Sequence, residues 1–333
     1  MTEPILEVRG LRTAFSSHDG PVPVLDGVDF QVADGEILGL VGESGSGKTI
    51  TALSVLQLLP AAAQVTGGEI LFRGENLLEL DRKQMNRVRG ADISMIFQNP
   101  RGSLNPLYRV EKTLEQVLWT HRRLRGGAAR TVAIELLADV GLPDPRSVLR
   151  RYPHELSGGM CQRVMIAYAL ASNPRLLIAD EPTTALDVTV QLQIIELLGR
   201  LRREHGLTLV LITHNLSVVA ELCDRVGVMY LGRIVEQGPV LDIFDAPRHP
   251  YTVGLLGSRP TVHVEGDELR AIPGQVPDLR NRPSGCVFHP RCPLVRPVCS
   301  ERAPARETVA EGHDVECHFW RKVAGLVETG RVA

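Results

Sequence analysis

Eight consecutive residues constrain this chain of 333 more than any others: Gly42, Glu43, Ser44, Gly45, Ser46, Gly47, Lys48 and Thr49. They match G-x-x-x-x-G-K-S/T, the pattern of a phosphate-binding loop. An apolar run at residues 37–41 precedes them and reads as a buried strand. ITALSVLQLL follows with helical apolar spacing. Strand, loop and helix form the context that the motif requires. Its glycines let backbone N–H groups turn inward around phosphate oxygens, and the helix N-terminus adds a positive dipole end. Lys48 is expected to neutralise the β- and γ-phosphates of a nucleotide, and the Thr49 hydroxyl to ligate Mg²⁺. The bland alternative is a glycine-rich turn with a solvated lysine; the complete motif in its complete context outweighs it.

A second stretch supplies acids. Residues 176–179 of PRLLIADEPTTALD read as another buried strand, ending in Asp180 and Glu181. An aspartate at such a strand end helps hold Mg²⁺, and the glutamate after it can polarise an attacking water as general base. An isolated Asp-Glu pair would read as solvated turn acids. Behind an apolar strand, in a chain with a phosphate loop, it reads as machinery for nucleotide hydrolysis.

Composition bounds what else the chain can be. The net charge of −2 gives no basic balance that would argue for nucleic acid. Hydrophobic content of 44% with 23% charged residues belongs to a globular chain. Lysine occurs only at 48, 83, 112 and 322, which sets Lys48 apart from the many arginines. The opening MTEPILEVRG lacks the pattern of an export signal, and no apolar window is long enough to span a bilayer. The expectation is a cytoplasmic chain that reaches a membrane only through a partner.

Between loop and acids lies LSGGMCQRVMIAYALASNP, in which Ser157, Gly158 and Gly159 precede a helix and offer its N-terminus to an anion. In this position the segment resembles the signature motif of ABC-type ATPases. Gln98 in ISMIFQNP is similar to that family's Q-loop glutamine, His214 in LVLITHN to its switch histidine, and Asp187 in TALD to its D-loop aspartate. Phe15 falls where the family places an aromatic that stacks on adenine. The resemblance covers roughly residues 5 to 240, with every motif in the expected order. It implies transport-coupled ATP hydrolysis, with Glu181, His214 and Gln98 as catalytic residues and Gln98 beside Thr49 at Mg²⁺. It also implies that two such domains pair head to tail, each ATP lying between one phosphate loop and the opposing Ser157, Gly158 and Gly159. Met160 replaces the commonest glutamine of the signature, as it does in peptide importers. Cys161 and Cys223 read as small fillers rather than ligands.

The expected fold is α/β: a parallel core sheet around the phosphate loop, an antiparallel β subdomain at the start and a helical subdomain at about residues 100–172. Helices are expected at 48–58, 188–204 and 216–222, and a last hairpin turning at Leu231-Gly232. Residues 1–245 form the nucleotide-binding domain of this reading. Residues 246–333 form a small irregular extension, rich in Pro, Arg and Gly, that needs docking or a staple.

Four late cysteines, Cys286, Cys292, Cys299 and Cys317, are candidates for that staple. Cytoplasmic disulfides are rare. Zinc would suit four thiolates, but the usual close C-x2-4-C pairs are absent. An iron–sulfur cluster tolerates wider spacing, and three local cysteines with a remote fourth suit a 4Fe–4S cube. His289, His313 and His318 lie near and could replace one thiolate in a zinc site, but read as ordinary histidines at the surface or behind the ligands. The context APRHPYTVGLLGSRP and IPGQVPDLRNRPSGCVFHPRCPLVRPVC resembles the C-terminal extension of oligopeptide/dipeptide importer ATPases, at roughly residues 245 to 320. That resemblance implies a 4Fe–4S cluster on these cysteines, with zinc as the alternative.

The implied partners are two transmembrane permease subunits, an extracytoplasmic solute-binding protein and a second ATPase, a paralogue being favoured over a copy. The implied location is peripheral, on the cytoplasmic face of the cell membrane. Nickel importers share related ATPases, so a nickel or other small-solute importer is the alternative within the family. A non-transport ABC ATPase is a further alternative, but the second cassette or long coiled coil usual there is missing from this chain. A metal- or redox-sensing module with a structural ATP site is weighed against the intact Glu181 and His214.

Overall fold

The computed structural model describes residues 3–184, 186–258 and 272–323. By packing, the chain forms two compact units. The first comprises residues up to Ile5, Val32–Glu36 and Leu77–Ile212; the second comprises Leu6–Gln31, Ile37–Asn76 and the chain from Thr213 onward.

In the first unit, three strands lie parallel in the order Ile93–Ile96, Leu176–Asp180, Thr208–Ile212. Leu176 lies opposite Thr208 and Asp180 opposite Ile212. All three strands are buried end to end, which is why their sequences run apolar without alternation. The helical region holds Val110–Arg122, Gly126–Asp139, Pro145–Arg150 and Gly158–Leu170, as the apolar periodicity anticipates. They pack through Leu114, Leu118, Ala133, Leu137 and Val164, each at most 2% exposed. Burying each leucine fully stabilises by about 1.5–3 kcal/mol. Helix Val188–His205 opens on an Asp187 cap and closes at Gly206, whose left-handed φ of 62° suits glycine. Arg202, Arg203 and His205 in its last turn complement the negative end of the helix dipole.

In the second unit, an antiparallel sheet runs in the order Val22–Ala33, Pro4–Phe15, Ala63–Phe72, Glu75–Asn76. The phosphate-loop strand Ile37–Val41 lies parallel to Arg225–Tyr230, with Val41 opposite Val228. The chain then reverses at Leu231-Gly232, with φ of 42° and 73°, into Arg233–Pro239. This is the hairpin expected at that dipeptide. A Cβ on Gly232 would stand 1.8 Å from the Val24 carbonyl oxygen, so the turn admits no other residue.

The tail departs from expectation. Instead of being irregular throughout, it adds a hairpin, Glu307–Ala310 with His313–Val315, and the latter strand pairs with Arg233–Pro239. Val315 sits opposite Glu236. His313 Nε2 lies 2.8 Å from the buried Glu236 carboxylate, which also accepts the backbone N–H groups of Arg248 and His249. Tail residues Val287 and Phe288 share one apolar core with Val41, Val228, Tyr230 and Tyr251. Docking, the first of the two remedies for an apolar-poor tail, is therefore built.

Candidate functional site

The phosphate loop connects the buried strand Ile37–Val41 to helix Lys48–Val55. Gly42 has φ 151°, and a Cβ there would stand 2.1 Å from the Met229 carbonyl oxygen. Only a bare backbone passes at that point. Lys48 is buried to 6% exposure, and its ammonium donates to Gly42 O, Glu43 O and Ser46 Oγ at 2.7, 3.0 and 3.2 Å. The loop thus curls around its own lysine, with the carbonyls of Gly42 and Glu43 turned toward it. Ser44, Gly45 and Thr49 are exposed and Ser46 and Gly47 buried. Phe15 ends strand Pro4–Phe15, which Thr13 Oγ1 ties to Ser54 of the loop helix at 3.2 Å. His214 is exposed, between Thr213, whose N–H donates to Leu40 O, and Asn215, which caps helix Leu216–Leu222.

In the first unit, Asp180 ends its strand at 2% exposure. Glu181 follows with φ 48°, a left-handed backbone that a branched or bulky residue avoids. Its N–H donates to Ile212 O at 2.8 Å, which fixes the turn. The carboxylate oxygen Oε2 accepts from Gln98 Nε2 at 2.9 Å and from Thr184 Oγ1 at 2.7 Å. The structure therefore brings Gln98 and Glu181 together across 83 residues of sequence. Thr184 was not among the sequence candidates; its position three residues after the acid is the signal that could have found it.

Ser157 caps helix Gly158–Leu170, its Oγ accepting the Met160 N–H at 3.2 Å. A Cβ on Gly159 would stand 2.8 Å from Val190, so the missing side chain lets the signature helix approach helix Val188–His205. Asp187 faces its own helix, accepting the Val190 N–H at 2.9 Å. Cys161 is fully buried and donates its thiol to Pro153 O at 3.3 Å; burial pushes its pKa up. It is a packed residue, as expected. Cys223 packs its sulfur 3.0 Å from where a Gly39 Cβ would lie.

Cys286, Cys292, Cys299 and Cys317 all line one small cavity with His249, His289 and His318. The volume they enclose is about 10 Å³, near that of one water-sized probe. Burial raises the thiols of Cys286, Cys292 and Cys317, Cys292 to about 11 and Cys317 to about 12, and Cys299 adds to the rise of all three. Among the described residues, no three His, Cys, Asp or Glu side chains are gathered as one metal ion requires. The metal centre expected at these cysteines is thus not shown as a ligand set; what is shown is their convergence on one cavity.

Two further residues reach the phosphate loop, and sequence reading missed both. The Glu43 N–H donates to Tyr251 Oη at 2.8 Å. The Glu43 carboxylate accepts both arms of the Arg291 guanidinium, at 2.7 and 3.1 Å. Both belong to stretches that carry the family resemblance, HPYT and HPRC, but no local pattern announces a partner more than 200 residues away.

Comparison with known proteins gives the same outline. Residues 25–184 match the family model described as ABC transporter, and residues 235–299 the model of the oligopeptide/dipeptide transporter C-terminal region. The chain is 48% identical over 326 residues to the oligopeptide transport ATP-binding protein OppD of Bacillus subtilis, covering 97% of this chain and 91% of that one. It is 47% identical over 316 residues to the dipeptide transport ATP-binding protein DppD of the same organism, covering 95% and 94%. The OppD protein of Escherichia coli is 47% identical over 303 residues, covering 91% and 90%. Among solved structures, a dimeric ATP-binding cassette, MJ0796, bound to ADP and phosphate superposes with a TM-score of 0.64 at 28% identity, covering 71% of this chain and 98% of that one. Among the described residues, no helix is long and apolar enough to cross a membrane.

Proposed function

This chain belongs to the ABC transporter ATPases, among the peptide-import ATP-binding proteins, and on that premise we propose how its residues perform the work. It is the ATP-hydrolysing subunit of an importer of oligopeptides or dipeptides, and its fold is the α/β cassette with mixed sheets. Residues 1–245 act as the nucleotide-binding domain and 246–333 as the importer-specific extension.

In the second unit, backbone N–H groups of the loop at residues 42–49 beyond that of Glu43, with the Lys48 ammonium, hold the phosphates, and Phe15 stacks on adenine. Thr49 is the Mg²⁺ ligand there. Mg²⁺ held there would neutralise phosphate charge. In the first unit, Asp180 and Gln98 are the residues that would serve Mg²⁺, and Glu181 takes a proton from the attacking water. The Gln98 and Thr184 hydrogen bonds aim the Glu181 carboxylate, and the left-handed turn at residue 181 directs it. His214 contacts the γ-phosphate. Ser157, Gly158 and Gly159 present their helix N-terminus to the ATP of an opposing subunit, with Asp187 at that interface. That subunit is a paralogue rather than a copy. Two permeases and an extracytoplasmic solute-binding protein complete the transporter, and this chain sits on its cytoplasmic face.

Cys286, Cys292, Cys299 and Cys317 are the residues that would hold a 4Fe–4S cluster in this reading. Four soft thiols lining one cavity are the donor type that such a cluster, or zinc, takes. Such a cluster would bond Cys286, Cys292, Cys299 and Cys317 at once and staple the tail.

The observation that carries the reading is the preformed phosphate loop, Lys48 buried on its own carbonyls, in a chain matched over 97% of its length by a peptide-import ATPase. The test is reconstitution with the cognate permeases and binding protein in liposomes. Di- to pentapeptides should stimulate ATP turnover and accumulate inside. Stimulation by nickel without peptide would select the nickel-importer alternative.

A further inference from the structure

We propose that Arg291 and Tyr251, both from the extension, are positioning residues for the ATP-binding loop, so that the extension helps set nucleotide affinity. The inference rests on reading residues 42–49 as that loop.

Glu43 is the second residue of the motif, in a position the pattern leaves open. Every polar group it has is engaged. Its carbonyl accepts from Lys48 at 3.0 Å, its N–H donates to Tyr251 Oη at 2.8 Å, and its carboxylate holds Arg291 in two hydrogen bonds. The Gly42–Glu43 peptide plane is therefore held on one side by Lys48, which donates to Gly42 O at 2.7 Å, and on the other by Tyr251 at the Glu43 N–H. Because the Glu43 N–H is spent on Tyr251, the loop must bind phosphate through later N–H groups.

The two clamping side chains are themselves built in. The Arg291 side chain is 4% exposed. Its five N–H directions reach Pro273 O, Glu43 Oε2, Tyr230 Oη, Glu43 Oε1 and Ile272 O, at 2.7 to 3.4 Å. A guanidinium with all five donors placed has no alternative orientation to relax into. Tyr251 is fully buried, with its ring 4.7 Å from Tyr230 and 5.4 Å from Phe288. A salt bridge that only docked a tail would need neither the tyrosine hydroxyl on the loop backbone nor a partner inside the phosphate motif.

The experiment uses the full chain and a fluorescent ATP analogue with Mg²⁺, followed by KM and kcat of the assembled transporter. Tail integrity is read in parallel by limited proteolysis. Tyr251→Phe keeps the aromatic packing and removes only the hydroxyl; its dissociation constant should rise roughly 3- to 10-fold. Glu43→Gln should weaken binding roughly 10-fold, in KM more than in kcat. Arg291→Met should match it, and the double variant should be no weaker than the worse single one. If Arg291→Met fails to fold, the Tyr251 and Glu43 variants decide alone. Unchanged affinity in Tyr251→Phe and Glu43→Gln with an intact tail would overturn the inference. So would losses in the Glu43 and Arg291 variants that simply add. Wild-type chain that bound no ATP would instead defeat the reading of the loop itself, and this inference with it.

Discussion

The phosphate loop and the cysteine cavity are both places where the second unit gathers reactive groups, and they are made in opposite ways. The loop is made of backbone. Its cation, Lys48, is satisfied by two carbonyls and a hydroxyl of the same eight residues. The cavity is made of side chains that disfavour one another: each of Cys286, Cys292 and Cys317 is pushed up by burial and then further by its cysteine neighbours. A site that satisfies itself is ready before its ligand arrives. A site of mutually opposed thiols is stable only as thiols, or around a cation that pulls the protons off.

The comparison can be broken most forcefully at Lys48. In the assembled transporter, Lys48→Ala should lower ATP turnover by about 10²–10³-fold and leave the tail resistant to protease. Loss of the tail would mean that the two sites are not separately built. Glu181→Gln tests the other half of the chemistry. Turnover should fall by about 10²-fold or more while ATP binding stays within about 2-fold; surviving steady-state hydrolysis would remove Glu181 as base.

The cavity side of the comparison rests on the thiols. In metal-free chain the shift of Cys292 from 9.0 to about 11 leaves about 100-fold less thiolate than an ordinary cysteine below pH 9. Alkylation of Cys292 should be slower by about that factor and should quicken as pH rises. The sign for stability follows. A thiol with its folded pKa raised stabilises the metal-free tail below the unfolded value near 9, and that contribution is lost as pH climbs toward 11. Alkylation at the rate of a free thiol would show that the cavity does not form without metal. Anaerobically purified chain should be brown and carry about four irons and four sulfides, and Cys292→Ser should abolish both. A colourless chain loaded with zinc would replace the cluster by a single ion. The smallest effect belongs to neither site: Ser157→Ala, which removes the cap of the signature helix, should cost about 1 kcal/mol in thermal unfolding.

What was legible in the sequence follows the range of the forces involved. Strands Ile37–Val41 and Leu176–Asp180 are unbroken apolar runs ending in motif residues, so burial and chemistry announce them together. The Leu231-Gly232 turn was legible because a local dipeptide encodes it. Strand Ala63–Phe72 was not, because Gly67 and Gly68 interrupt it and most of it is exposed or half-buried. The hairpin of Glu307–Ala310 and His313–Val315 escaped because seven short, partly exposed residues carry no periodicity and owe their form to a distant edge strand. The Glu43 partners escaped for the strongest version of that reason: nothing near Glu43 in sequence encodes them.

That last contact has a consequence in time. Arg291 and Glu43 are 248 residues apart in sequence. At about 5–20 residues per second of synthesis, that separation takes roughly 12–50 s to traverse. For that interval the nascent chain carries a complete phosphate motif whose Glu43 has no arginine to meet. A ribosome paused before residue 291 holds a loop not yet in its final setting, and the subunit's nucleotide site is finished among the last of its parts to be made.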